Sequence, residues 1–445
     1  MKDFFSSIFG VILIPICFGA IAIIWWVLFR NTDFSIATTV GFGLLLLPLF
    51  LPFILYYLTY DRWMEFVHGM FSYEQGRTTL RIKLPQEVLK SPEAMESVFA
   101  QIYNPNGSDT LWQAYIDGKC PLVSSFEIVS IGGDVRFYAN VPRKKIKNAL
   151  EAQLYAQYPG IEIEEELLDY TTEVQWKEGE MDLMSFHIVK KVDDVLPIKT
   201  YIDYGHDKTP KEELKFEPMA PLIEHMSKAK LHERLYVQIL CTPHAKKEFK
   251  GGSRVTKGTW EQAATDKIND MLKRDRPKSA DPNEPDDRPT LTMHERDTVA
   301  AIERNVGKYA YEVGIRAMYI TLDATQFDGE MIGPMLKSFS QYDILNRNGL
   351  AVRYKTEIDY AMFRDYSGGK QKKMKMDELE AYKMRTYSIP DTPKDQVHQP
   401  KVMSVEELAT IYHIPGSSVL TPGLSRISST RRNAPSNLPT GELPI

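Results

Sequence analysis

Residues 8–29, IFGVILIPICFGAIAIIWWVLF, carry no charged side chain, and a second apolar run covers 34–58. Each reaches the ~20 residues with which a helix crosses about 30 Å of hydrocarbon. Only a short stretch around Asn31-Thr32-Asp33 separates them, so the pattern predicts a tight helical hairpin with both ends on one side. Trp25, Trp26 and Arg30 flank the end of the first run, and Tyr56, Tyr57 and Trp63 the end of the second, as interfacial anchors do. Lys2 before the hairpin and Arg62, Arg77, Arg81 and Lys83 after it, against Arg30 alone in the turn, place the rest of the chain inside. A cleaved signal peptide does not fit, because the run is too long and Ala20-Ile21-Ala22, which mimics a cleavage site, sits within it. The expected localisation is therefore the inner (cytoplasmic) membrane, multi-pass, with lipid as one partner.

The 445 residues have a formal net charge of −5, and that charge belongs to the part beyond residue 60, because the acidic and basic residues before it cancel. This balance excludes a globally basic nucleic-acid-coating protein and leaves room for local basic patches. Three cysteines without metal or redox spacing, Cys17, Cys120 and Cys241, argue against a disulfide framework.

From Thr79 onward alternation takes over. Leu80, Ile82 and Leu84 share one face of a strand and Arg81 and Lys83 the other. Ser91-Pro92 opens a helix, SFEIVSIGGDVRFYANV reads as a hairpin about Gly132-Gly133, KKIKNALEAQLYAQYP as a second helix and GIEIEEE as a last strand. The order β-α-β-β-α-β is the split βαβ, ferredoxin-like arrangement. A looser repeat follows in SFHIVKKV, MAPLIEHMSKA, RLYVQILCTP, YEVGIRAMYITLD, GEMIGPMLKSFSQY and GLAVRY. The expected fold class is thus α+β, with two transmembrane helices followed by tandem ferredoxin-like domains and an extended tail. The expected boundaries are 1–60 for the hairpin, 61–170 for the first domain, 171–355 for the second with a helical insertion at 244–307, 356–400 for a basic, helical connector, and 401–445 for a short helix and a Pro/Ser-rich tail.

Local catalytic motifs do not assemble. In GGSRVTKGTW, Lys257 precedes Gly258 instead of following the second glycine of a phosphate loop. Asp323, closing AMYITLD, resembles a magnesium-holding strand end, but with no phosphate loop it reads as an ordinary strand terminus. The pairs His232-Glu233 and His294-Glu295 lack the second histidine of a zinc protease, since Tyr236 and Thr298 stand there. No catalytic residue, cofactor or metal is therefore assigned, and the chain is not expected to be an enzyme.

Two kinds of contact residue are singled out. Arg81, Lys83, Arg136 and Tyr138 on central strands, with the lysine cluster Lys370, Lys372, Lys373 and Lys375, could meet single-stranded nucleic acid or anionic lipid headgroups. The simpler reading is that these cations solubilise an exposed face. Val405, Leu408, Ile411 and Tyr412 line one side of a short amphipathic helix that either lies in a partner's groove or packs back on its own domain.

The phrases TLRIKLPQEVLKSPEAMESVFAQIY, SFEIVSIGGDVRFYANVPRK, EAQLYAQYPGIEI, PIKTYIDYGHDKTPKEELKFEPMAPLIE and VMSVEELATIYHIPG resemble a membrane-anchored family of candidate phyla radiation bacteria. That family is similar to the amino-terminal, membrane-proximal portions of type IV secretion and conjugation ATPases. In those ATPases a P-loop motor domain carries the nucleotide chemistry, whereas this sequence stops after NAPSNLPTGELPI. The resemblance implies a non-enzymatic scaffold or docking subunit for a secretion or DNA-transfer ATPase made as a separate chain. The alternative is a membrane-tethered module that binds single-stranded nucleic acid.

Overall fold

The computed structural model describes residues 59–60, 62–86, 88, 90–105, 107–205, 216–244, 247–250, 253–256, 260–272, 291–358, 365–387, 399–417, 419 and 421–427. They fall into two compact units, the larger comprising 75–105, 121–244 and 258 onward.

In the larger unit the alternation at Thr79 becomes strand β1 (Arg77–Pro85), and its buried leucines and Ile82 face helices α2 (Pro92–Gln101) and α4 (Lys147–Gln157). Between these helices run β2 (Ser124–Ile131) and β3 (Asp134–Pro142), joined through Gly132 and Gly133 at φ 59° and 91°, where a side chain is strained and glycine is not. The chain continues through β4 (Glu162–Glu166), β5 (Asp182–Lys190), α5 (Ala220–Met226) and β6 (Glu233–Pro243). After the insertion helices α6 (Trp260–Leu272) and α7 (Met293–Val306) come β9 (Ala310–Thr321), α8 (Ile332–Lys337) and β10 (Leu350–Lys355). Helix α9 (Gly369–Lys383), strand β11 (Lys401–Ser404), helix α10 (Val405–Ile411) and the two-residue β12 (Arg426–Ile427) complete it.

These strands make one ten-stranded sheet in the order β10-β5-β9-β6-β2-β3-β1-β12, with β4 also on β1 and β11 also on β9. Every pairing is antiparallel except the short β1–β12 contact. The join between the halves is β2 on β6, eight residues deep from Ser124↔Cys241 to Ile131↔Arg234. One face carries the main core, in which Phe126, Ile128, Val237 and Ile315 meet α2, α4, α5 and α10. The other carries a second core of Tyr138, Tyr170, Tyr236, Met318, Leu379 and Tyr382 under α9. Because both faces are covered, β2, β6 and β9 are buried almost throughout.

The smaller unit holds most of α1 (residues 62–75), α3 (Leu111–Tyr115) and the hairpin of β7 (Lys247–Lys250) with β8 (Ser253–Thr256). Thr110 caps α3 by accepting from the Gln113 amide, and the Trp63 indole donates to the Tyr115 carbonyl at 2.8 Å.

Three expectations are corrected. Among the described residues the fold is not two transmembrane helices followed by separate tandem ferredoxin-like domains. It is a mixed α/β fold dominated by one sheet, because strand edges that would bound two domains hydrogen-bond to each other at β2–β6. The apolar runs 8–29 and 34–58, with Trp25, Trp26, Arg30, Tyr56 and Tyr57, lie outside the described residues. Among the described residues no helix is long and apolar enough to cross a membrane, and α9, with 15 residues, is rich in lysine. For the described residues the membrane and transmembrane assignments, and the multi-pass inner-membrane localisation, are corrected to that finding. The described part of the tail, from Pro415 to Ile427, is not extended. Its described residues pack on the sheet, where β12 pairs with β1 and the Val135 amide of β3 donates to the Gly423 carbonyl at 2.7 Å.

Candidate functional site: a charged rung beneath helix α9

Four strands each place one polar residue in the middle of an apolar run: Glu127 in β2, Gln238 in β6, Arg316 in β9 and His187 in β5. The registers Glu127↔Gln238, Gln238↔Arg316 and His187↔Arg316 align them in a single row across the join between the halves. All four are 0% exposed. A row of this kind, dry on both sides, demands partners for every charge.

Helix α9 and the segment after it supply those partners. Glu378 lies 3.0 Å from the Arg316 Nε and 2.8 Å from the His187 Nε2, and accepts from Ser185 at 3.1 Å. Arg316 also donates to the Gln238 side-chain carbonyl at 3.1 Å and to the Thr386 carbonyl at 2.9 Å. At the other end Glu127 accepts from Ser125 and Tyr170, both at 2.6 Å, and from Gln238 at 3.0 Å. Arg385 lies 3.2 Å from Glu127 and 2.6 Å from Asp169. Its φ of 54° is the position after a helix that usually takes glycine, and an arginine stands there because its guanidinium is held by two carboxylates.

The electrostatics follow from burial and pairing. Burial acts to raise the Glu378 carboxyl, but Arg316 and His187 outweigh it and hold it below the ordinary range. Burial likewise opposes the charge on Arg385, and Glu127, Tyr170 and Asp169 reverse the effect and raise its pKa. Arg77, behind the same cluster, is lowered to about 10 by burial and by the neighbouring Arg385. Burial raises the phenols of Tyr170 and Tyr382, whose hydroxyls meet at 2.7 Å, well above their usual value. The four rung residues stay sealed, while Arg385 and its partner Asp169 border a cleft of about 480 Å³ with Arg77, Asn140 and Leu167. Chemically, the arrangement holds α9 onto both halves of the sheet.

The residues singled out in the sequence fall elsewhere. Arg81 and Lys83 do share a face, where they lie 3.9 and 2.9 Å from Glu166 and Glu164 of β4. Arg136 is paired with Asp134 at 2.7 Å. Tyr138 is 1% exposed and stacks on Tyr170 at 4.6 Å, so it offers no ring face to a base. Lys372 and Lys375 reach Glu178 and Asp182, each at 2.5 Å, while Lys370 and Lys373 occupy the first turns of α9. These lysines are not brought together with Arg81 and Lys83 in any described contact. Val405, Leu408, Ile411 and Tyr412 are all buried in the main core, where α10 packs back on its own domain behind a Ser404–Glu407 capping box. Asp323 caps a short turn by accepting from the Thr325 amide, and Glu295 completes the capping box of α7. Glu233 is buried and accepts from the Lys230 amide and the Tyr319 hydroxyl.

The rung itself was open to discovery. A single charged, amide or imidazole side chain inside each of SFEIVS, YVQIL, GIRAM and SFHIV is a repeated departure from strand alternation, and a buried polar residue is the informative one.

A search of curated proteins finds no match to the chain. The model of the family described as "Domain of unknown function (DUF8128)" matches residues 71–327. That range carries all four strands of the rung and ends before α9. As it spans more than half of the sequence, the chain belongs to the DUF8128 family.

Proposed function

We propose that the chain is a non-enzymatic docking subunit for a P-loop ATPase of the type IV secretion or DNA-transfer class, encoded as a separate polypeptide. The observation that carries this reading is the adjacent pair Leu167 and Leu168 at the end of β4, 98% and 76% exposed. Covering one such side chain is worth ~1.5–3 kcal/mol, which this fold leaves unused. Among the described strands β4 pairs with β1 alone, so its outer edge can accept an added strand. The sequence of that edge, EIEEE, favours a basic segment from the partner. The likeness of the quoted phrases to the non-motor portion of secretion ATPases supplies the partner class. The perturbed groups of the rung support a structural use of charge, since they answer one another and not a substrate.

The test is a photo-crosslinking residue at Leu167, irradiated in living cells, with the adduct identified by mass spectrometry. The expected adduct contains a P-loop ATPase and disappears when Leu168→Glu is added. Adducts lacking any such ATPase, or ATP turnover by the purified chain alone, would overturn the reading.

A further inference from the structure

A second cleft, of about 770 Å³, lies away from the rung, where the end of β5 and the following turn meet β10, β11 and α6. Its lining is unusual in charge. The lining itself carries Lys190, Lys191, Lys267, Arg353 and Lys401 with two carboxylates, Asp193 and Asp194. Lys190 is committed to Glu407 at 2.8 Å, Lys191 to Asp343 at 2.5 Å and Lys267 to Asp193 at 3.1 Å. Lys401 stands 3.8 Å from Asp194, beyond hydrogen-bond distance, and Arg353 makes no ion pair among the described residues.

Two further groups are left incomplete at the same place. Trp260 lines the cleft and is 6% exposed, yet its indole N–H has no hydrogen-bond partner. Such a donor, buried and unmet, is costly unless something outside the chain answers it. His244, also in the lining, meets the Glu312 carboxylate through Nδ1 at 3.1 Å, and a carboxylate can only accept, so Nδ1 carries the proton. Its Nε2 likewise finds no partner.

We propose that this cleft binds a phosphate group, borne by a small organic molecule, with Arg353 and the Trp260 indole as its recognition pair. A phosphate has the acceptor oxygens that a guanidinium fork and an indole N–H require, and its three terminal oxygens can answer Arg353, Lys401 and the indole together, where a carboxylate has only two. The volume exceeds what the phosphate alone fills and lies within the range of sites for small organic ligands. Lys401 stands beside the same opening and adds a second, adjustable positive charge. The site shares no lining residue with the cleft at the rung.

The experiment uses the full chain labelled with ¹⁵N. Adenosine monophosphate, inorganic phosphate and acetate are titrated separately while the indole ¹H–¹⁵N resonance of Trp260, assigned by its loss in Trp260→Phe, is followed. The ester is expected to shift that resonance saturably, and acetate not to. Arg353→Gln should weaken the ester about ten-fold or more, the effect of removing a charge-assisted hydrogen bond. An equal response to inorganic phosphate would assign free phosphate as the ligand and overturn the organic part of the proposal. A Trp260 resonance unmoved by millimolar ester and phosphate alike, or Arg353→Gln binding as tightly as the unaltered chain, would overturn it altogether. None of these readouts depends on β4 or on an ATPase partner.

Discussion

Arg316 and Glu378 meet at 3.0 Å with neither side chain exposed, and they tie a central strand of the sheet to the helix that crosses it. Removing one partner leaves the other charge buried. Arg316→Met should therefore lower stability by about 3–5 kcal/mol, read as a fall in the urea midpoint. Adding Glu378→Leu to it should recover part of that loss, because an apolar pair no longer strands a charge. A double variant as unstable as the sum of its singles would contradict the pairing.

Arg385 presents two opposed effects. Glycine at its φ of 54° relieves backbone strain of about 1 kcal/mol, yet removes the contacts to Glu127 and Asp169. With Arg385 only 6% exposed the ion pairs are the larger effect, so Arg385→Gly should be destabilising by about 2–4 kcal/mol in urea unfolding. A stabilised variant would show that backbone strain dominates.

Gly314 lies against the ring of Tyr387, and a Cβ there would come within 2.3 Å of a ring carbon. Gly314→Ala must push the ring aside, at a cost of about 1–3 kcal/mol. Tyr387→Ala in the same chain should absorb most of the added cost of the alanine, measured as a double-mutant cycle. Strict additivity would rule out the close approach.

The pH dependence follows from two depressed carboxyls. Burial pushes Glu378 upward, but Arg316 and His187 bring it below the ordinary glutamate value; burial pushes Glu217 upward, but His413, 2.5 Å away, brings it down too. A folded pKa below the unfolded one gives stability that is complete above the unfolded value of about 4.3 and is lost as pH falls through the folded value. The urea midpoint should therefore drop as pH is taken from about 5 to about 3. Glu378→Gln should start lower and drop less. A midpoint that rises on acidification would contradict the assignment.

The local elements were largely legible because each is written in a short window. Alternation at Leu80, Ile82 and Leu84 marked β1, Ser91-Pro92 marked the start of α2, and Gly132-Gly133 marked the β2–β3 turn. The join of β2 to β6 was not, because the two strands pair over a separation of some hundred residues and neither names its partner. The face bearing Arg81, Arg136 and Tyr138 read as open for the same reason. The cover over Tyr138 comes from Tyr170 and from the far end of α9, whose first turns, GKQKKMK, advertise solvent while Leu379 and Tyr382 do the packing. The apolar face of α10 was visible in Val405, Leu408 and Ile411, but periodicity shows that a face is buried without showing against what.

Native-state hydrogen exchange of the full chain tests most directly whether the buried charges make one body of the two halves. The account predicts that amides of β2, β3, β6 and β9 share one opening free energy, that of global unfolding, and that Arg316→Met lowers all of them together. Exchange of β5, β9 and β10 through an opening that leaves β1–β4 protected would contradict it.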